Sequence, residues 1–408
     1  MKKIAILGYG VVGSGITEVL EQNMAAVRRM AQDDVCVKYI LDKRDFPDSP
    51  YGDRVVRDMA VIAGDPEVSI VCEAMGGVHP AFEFTMQAIA GGKSVITSNK
   101  ELVAKCGVEI LAAAKEAGVS YLFEASVGGG IPEIRAMRTS LAGDTVTAID
   151  GILNGTTNYI LTRMRQDGAT FASALREAQT LGYAEADPTA DVDGLDAQRK
   201  IMILTAVATG KMAEEKDVYT ETMTRVTPAD MDAAARWGGT VKLLGSARIG
   251  EEHASLYVCP CFVPGDSPLA HIDDVYNGIR MVSPVTADVL FYGRGAGRLP
   301  TAGAMVSDAV SILSGMAEKE KPMAWETAPA GYVTPFGENR FSYYVRVKTD
   351  AAKAALEQAA LVFGDVTHLP DMPAGTAEFI TPPLKESEAQ ALLAAFPGVE
   401  ASIRVFGQ

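Results

Sequence analysis

Residues 3–15 read KIAILGYGVVGSG, and their order decides how the N-terminal part of the chain folds. The apolar run 3–7 has the length of a buried strand. Gly8, Gly10 and Gly13 then open a helix with apolar positions at Val12, Ile16, Val19, Leu20, Met24 and Val27. Strand, glycine turn and helix, in that order, are what a dinucleotide-binding unit requires. Gly8 permits the tight turn, Gly10 lets backbone approach a pyrophosphate, and Gly13 lets the helix pack on the strand. Unpaired N–H groups and the dipole at the helix start favour the anion there. Gly8, Gly10, Val11, Val12 and Gly13 are therefore candidate cofactor residues.

Residues 35–41 form the next strand and end in Asp42-Lys43-Arg44-Asp45. An acid at this place binds the adenosine ribose hydroxyl and favours NAD, whereas a base accepts the 2′-phosphate of NADP. Both are present, so the choice stays open, and Lys43 and Arg44 also fit plain solvated loop charges. Strands at 69–74 and 94–97 close at Gly76-Gly77 and at Ser98-Asn99-Lys100-Glu101. Parallel strands present their carboxyl ends to ligands, so Lys100 lands on the active rim. It also opens a helix over 101–117, where a cation is disfavoured unless it has an anionic or catalytic reason. A strand at 119–123 leads to Glu124-Ala-Ser-Val-Gly-Gly-Gly-Ile-Pro132. Its three glycines free backbone groups for a ligand or cation, or else mark a crossing between domains.

With 408 residues, two or three domains are expected. The formal charge of −15 argues against nucleic acid and against anionic membranes. No apolar run nears the ~20 residues of a membrane span. The Met1-Lys-Lys-Ile start is broken by glycines and acids before it reads as a leader, so a cytoplasmic location is expected. Cys36, Cys72, Cys106, Cys259 and Cys261 are odd in number and set in apolar patterns, like reduced core thiols. Cys259-Pro-Cys261 lacks the second pair of a metal site.

GYAEADPTADVDGLDAQRK, residues 182–200, gathers Glu185, Asp187, Asp191, Asp193 and Asp196 ahead of Arg199 and Lys200. Pro188 and Gly194 bracket a loop, and Ile201, Ile203, Leu204 and Val207 continue at helical spacing. Such a loop suits a cationic substrate, and its lysine suits proton transfer. On the plainer reading, Asp193 caps the helix with Asp196 at its third position, and Asp196 pairs with Lys200 four residues on.

Upstream, a strand over 145–153 reaches Asn154-Gly-Thr-Thr-Asn158, a strand-to-helix turn before a helix from Tyr159; a helix at 171–181 follows. Residues 213–250 read as mostly helical and 256–263 as a strand. Tyr292-Gly-Arg-Gly-Ala-Gly-Arg-Leu-Pro-Thr301 opens a helix over 302–316 and offers its glycines, Arg294 or Arg298 to a cofactor. After a proline-, glycine- and charge-rich stretch come strands at 342–347, 378–381 and 402–406 and helices at 351–363 and 386–396, a βαββαβ-like tail. The expected architecture is α/β, with a Rossmann-type domain over 1–130. An α+β substrate-binding, catalytic and dimerisation domain covers 131–317, its last helix packing back on the first domain. A linker spans 318–340, and a small α+β domain 341–408.

GYGVVGSG, SNKELVA, YLFEASVGGGIP, GILNGTTNYILT, the 182–200 block and FYGRGAGRLPTA come in the order seen in homoserine dehydrogenase, which the chain resembles over roughly residues 4–315. The NGTTN and 182–200 blocks are the specific ones. The tail resembles the ACT-type module of single-function members, with Thr349-Asp350-Ala351-Ala352 where that module usually starts Asp-x-Pro-Gly. The resemblance implies NAD(P)-dependent interconversion of L-aspartate 4-semialdehyde and L-homoserine, on the route to threonine and methionine, by a homodimer or higher homo-oligomer. It implies Lys200 as proton donor and acceptor, Lys100 as the other active-site lysine, and Glu185, Asp191 and Asp196 as substrate-holding acids. It further implies Lys100, Gly182, Gly295 and Gly297 as cofactor contacts. Backbone groups of Glu124, Val127, Gly129 and Ile131 would hold a monovalent cation, usually sodium.

Reducing an aldehyde takes a hydride on carbon and a proton on oxygen. A lysine gives that proton near neutral pH once a neighbouring ammonium and exclusion of water lower its pKa. His79, His253, His271 and His368 lie outside the matching blocks, so a histidine-based mechanism is the weaker expectation. Two alternatives remain: a related dehydrogenase for another amino-aldehyde or hydroxy acid, and a sensor that binds NAD(P) without turnover.

Overall fold

The strand Lys2–Leu7 is central to a six-stranded parallel sheet in the order Val55–Val56, Val35–Leu41, Lys2–Leu7, Val68–Glu73, Ser94–Thr97, Tyr121–Leu122. The order reverses beside Lys2–Leu7, which sets the glycine turn at the crevice where such sheets bind ligands. The computed structural model describes residues 1–407 and divides into two units. The first is Met1–Thr145, Met202–Met212 and Phe291–Ala328; the second is Val146–Ile201, Ala213–Leu290 and Pro329–Gln408.

In the first unit Ile4, Ile6, Ile40, Ile70 and Ile96 form a core with Ile16 and Leu20 of the helix Val11–Ala31 and Met305 of the helix Arg298–Leu313. These helices cross closely at Gly15, where a Cβ would lie 2.8 Å from the Arg298 carbonyl oxygen. The second helix begins at Arg298, ahead of the expected residue 302, because Pro300 fits a first turn that needs no N–H from it.

The second unit is built on a mixed sheet in the order Tyr276–Ser283, Ala148–Ile152, Gly239–Ile249, Ala254–Pro264, Val399–Val405, Arg340–Lys348, Thr376–Ile380, Thr367–His368. The mostly helical reading of 213–250 is corrected here. Pro228–Trp237 is the one helix of that stretch longer than a single turn, whereas Gly239–Ile249 is a strand paired with Ala254–Pro264 along all 11 residues. Its middle is buried on both faces, so it lacks the alternation that marks a half-exposed strand.

The tail runs strand, helix, strand, strand, helix, strand, with the helices Ala352–Phe363 and Glu386–Ala395 and the order fourth, first, third, second. The short strand Leu384–Lys385 is an addition to that plan. The tail joins the rest of its unit through Cys261↔Arg404 and Phe262↔Val405. Arg404 is buried, pairs with Glu221 and, at 2.7 Å, with Glu386, and lies over the Tyr219 and Phe336 rings. Residues 318–340 carry the chain from the first unit to the second. In the first unit Trp325 packs edge-on against Phe123, and Glu326–Thr327 pairs with Lys211–Met212; in the second, Tyr332 is buried.

Candidate active site

Gly8 turns the chain at φ +85°, a conformation that costs glycine nothing. A Cβ on Gly13 would stand 2.0 Å from the Gly8 carbonyl oxygen, so the helix can start against the turn only without a side chain there. A Cβ on Gly10 would meet no atom within 4 Å. Gly10 precedes the helix without capping it through a side chain, so the first N–H groups of Val11–Ala31 keep the polarity that suits a pyrophosphate. Val11 is exposed and Val12 half-buried beside them. The residues thus fit a dinucleotide.

Asp42 accepts from the Tyr9 N–H at 2.8 Å and from Arg44 through N–H (2.9 Å), Nε (3.0 Å) and Nη2 (2.9 Å). The Arg44 hydrogen bond holds the Asp42 carboxyl well below the usual carboxylate range. Lys43 and Arg44 are exposed.

At the sheet rim, Gly76 and Gly77 turn at φ +79° and +70°. Asn99 accepts from Leu102 N–H at 3.1 Å and donates to the Gly77 carbonyl at 2.6 Å, placing half-buried Lys100 as the first residue of the helix Lys100–Ala117. Beneath them lies Glu73, missed by sequence reading. Fully buried, it accepts from Met75 N–H at 2.7 Å and from the Thr97 hydroxyl, which itself accepts from Asn99 N–H at 2.9 Å. Burial pushes the Glu73 carboxyl up.

The three-glycine loop is buried at Glu124, Val127, Gly129 and Ile131. Gly129 (φ +58°) lies so close to Gly295 that a Cβ would sit 2.6 Å from its carbonyl carbon and oxygen, and Gly297 (φ +123°) precedes the helix Arg298–Leu313. Two buried acids shape the loop. Glu133 accepts from Gly128 N–H at 2.6 Å, and Glu124 accepts from Ile134 and Arg135 N–H, both at 2.8 Å. Burial, then the neighbouring Asp308 charge, pushes Glu124 up to about 7. Burial pushes Asp308 up to about 6 despite its pairing with Arg135. Among the described residues no group of three or more His, Cys, Asp or Glu could hold a metal ion, so a cation here would rely on the loop carbonyls.

In the second unit the short helix Thr189–Val192 ends at Asp193, and Gly194 (φ +79°) turns the chain into the helix Leu195–Thr209. This corrects the expected cap at Asp193: the left-handed turn falls on Gly194, so the helix starts after it. Asp196 and Lys200, 5% and 6% exposed, stand one turn apart. The Lys200 ammonium donates to Asp196 Oδ2 at 2.8 Å and to the Leu153 carbonyl at 2.7 Å. Asn154, also missed, donates through Nδ2 to Asp191 Oδ1 at 2.7 Å and to Asp196 Oδ2 at 2.9 Å. Asparagine at a strand-to-helix turn is an N-cap signal, which gives its place but not its partners. Asp191, Asp196 and Lys200 are thus gathered, while Glu185 and Gly182 (φ +74°) lie on the exposed part of the loop. Asp187 serves that loop locally, accepting from Thr189.

A third missed residue supports this turn. Lys242 is buried in the strand Gly239–Ile249 and donates to the Ile272 carbonyl, to Asn158 Oδ1 and to Asp273 Oδ1, the last two at 3.1 Å. Burial lowers it to about 8. Sulfurs of the buried pair Cys259 and Cys261 lie 3.6 Å apart, and His79 pairs with Glu83 in solvent.

A family model described as "Homoserine dehydrogenase" matches residues 132–310, and one described as "Homoserine dehydrogenase, NAD binding domain" matches residues 8–124. The homoserine dehydrogenase of Synechocystis sp. is 44% identical over 317 residues, 76% of this chain and 73% of that protein. The crystal structure of a homoserine dehydrogenase from Thiobacillus denitrificans matches with a TM-score of 0.89 at 34% identity, covering 99% of this chain and 98% of that one. A hyperthermophilic archaeal homoserine dehydrogenase in complex with NADPH matches with a TM-score of 0.65 at 26% identity, over 76% of this chain and 97% of that one.

Proposed function

The chain belongs to the homoserine dehydrogenase family, and on that premise we propose how its residues carry the reaction. It is an NAD(P)-dependent oxidoreductase interconverting L-aspartate 4-semialdehyde and L-homoserine, in threonine and methionine biosynthesis. Lys200 exchanges the proton with the substrate's reacting oxygen. One observation carries this assignment: its ammonium is buried and anchored on both Asp196 and the Leu153 carbonyl, so a remaining N–H has a fixed direction. Asp191 takes the substrate ammonium, with Glu185 closing from the exposed loop. Lys100 is the second active-site lysine and a cofactor contact.

Bound NAD(P) supplies or accepts the hydride. Gly8, Gly10, Val11, Val12 and Gly13 hold its pyrophosphate, and Gly182, Gly295 and Gly297 are further contacts. With Arg44 folded onto Asp42, a swing of this exposed arginine, joined by Lys43, would serve a 2′-phosphate and leave Asp42 for a hydroxyl. Both cofactors are then accepted. The carbonyls of Glu124, Val127, Gly129 and Ile131 hold a sodium ion; the burial of all four residues in one glycine-rich loop supports this reading.

The strand order of the tail supports an ACT-like domain over 341–408. Five free cysteines fit the cytoplasm, and the family habit is a homodimer. No helix among the described residues is long and apolar enough to cross a membrane.

The test is absorbance at the reduced-nicotinamide band with L-homoserine, run separately with NAD and NADP and against L-serine and L-malate. Homoserine-dependent reduction is expected with both cofactors. Cofactor binding without reduction, in either direction, would favour the sensor.

A further inference from the structure

Asn154 is 6% exposed and caps the helix Gly155–Asp167, its Oδ1 accepting from the Thr157 N–H at 2.8 Å. That bond fixes the amide: the oxygen faces the helix and the NH2 faces away. Both hydrogens of the NH2 are then spent on carboxylates, one on Asp191 and one on Asp196. The Asp196 oxygen that the second one reaches, Oδ2, is the one that accepts from Lys200. The preceding residue, Leu153, supplies the ammonium's other acceptor. Two consecutive residues therefore set the lysine and both acids.

The turn that carries them is rigid. A Cβ on Gly151 or Gly245 would strike the Leu153 side chain at 2.5 and 2.7 Å, so Leu153 packs where only glycines leave room. Asn158 donates to the Ile272 and Tyr276 carbonyls, both at 3.0 Å, and Thr156 donates to the Tyr183 carbonyl at 2.6 Å. The helix start is thus tied both to the sheet side and to the acidic loop.

A neutral amide suits this place for an electrostatic reason. It meets two carboxylate oxygens at once and neutralises neither. A lysine or arginine there would draw the Asp191 charge away from an incoming ammonium and compete with Lys200 for Asp196. We propose that Asn154 is a positioning residue for the reaction: bridging Asp191 and Asp196, it aims one acid at the substrate ammonium and the other at the proton-carrying lysine. The inference rests on the roles proposed above for Lys200 and Asp191.

Asn154→Ser and Asn154→Asp separate positioning from capping, because serine and aspartate are both good N-caps. A mere cap would survive either change. A positioning residue fails with both: serine removes the bridge, and aspartate adds a third carboxylate to two already close. For Asn154→Ser we expect an unchanged melting temperature and cofactor Kd, a KM for L-homoserine raised ~10-fold, and a kcat lowered by about 10- to 100-fold. Asn154→Asp should lose more. Turnover and KM at wild-type level in the serine variant would overturn the inference. So would losses in both variants that merely track lost folded protein. Lys200→Ala run alongside distinguishes the failures. If it keeps turnover, the proposed roles fall; if it loses turnover while both Asn154 variants keep theirs, only the bridge falls.

Discussion

At Gly8–Gly13 the chain shapes its backbone by leaving side chains out; at Asn154, Asp191, Asp196 and Lys200 it brings four of them into hydrogen-bond contact. The first arrangement is made of backbone, with a positive-φ glycine, a helix start without a side-chain cap, and a close approach that no Cβ could share. The second is made of a buried ion pair on one helix, a half-buried acid on another, and the turn between strand and helix. In the backbone site an added Cβ meets protein at Gly13 and open space at Gly10. Side-chain sites tolerate atoms but not a changed donor or charge. The two should therefore break in different ways.

The largest expected break is chemical and lies in the second arrangement. Lys200→Ala should lower kcat by about 10²–10⁴-fold while leaving the cofactor Kd unchanged. Steady-state kinetics with a fluorescence titration of reduced cofactor checks both halves, and retained turnover would remove Lys200 from its role. Next comes a pair inside the glycine turn. Gly13→Ala places a methyl 2.0 Å from the Gly8 carbonyl oxygen, and nothing in rigid backbone yields cheaply. Its melting temperature should fall steeply, by an overpacking cost of about 1–3 kcal/mol or more. Gly10→Ala adds the same methyl where no protein atom lies within 4 Å. It should melt like wild type and bind cofactor about tenfold more weakly, a cost of about 1.4 kcal/mol. Equal thermal shifts in the two alanines would erase the distinction between a packing glycine and a ligand-facing one.

That contrast also decides what the sequence can reveal. The glycine turn is local: three glycines within six residues, between a strand and an amphipathic helix, carry nearly all of its geometry. The ion pair of Asp196 and Lys200 is local too, four residues on one helix. Asn154 is 37 residues from Asp191 and 42 from Asp196, and an N-cap signal does not say which carboxylates its amide meets. Glu73 was hidden for another reason. It ends a strand whose apolar run predicts burial, and its partners Thr97 and Asn99 lie on the next strand and turn. The strand Gly239–Ile249 does not show in the sequence because burial on both faces erases the period that separates strand from helix.

Lys242 gives the smallest and most specific test, since it supports the second site without being one of its acids or its lysine. In the native state burial lowers it to about 8, against 10.5 for an unburied lysine. Below pH 8 both states carry the proton, and the cost of burying the charge is present in full. Between about pH 8 and 10.5 the unfolded chain still binds the proton and the native chain releases it, so stability rises with pH from this group. The slope is on the order of 1 kcal/mol per pH unit at most. Lys242→Met removes it along with the donor to Asn158, the Ile272 carbonyl and Asp273. The variant should be less stable than wild type throughout, and denaturant titrations across this window should show the gap widening as pH rises. A gap that stays constant would mean that Lys242 remains charged in the fold, held by Asp273 more strongly than burial disfavours it. The side-chain site would then rest on a buried ion pair rather than on a lysine that burial makes easy to deprotonate.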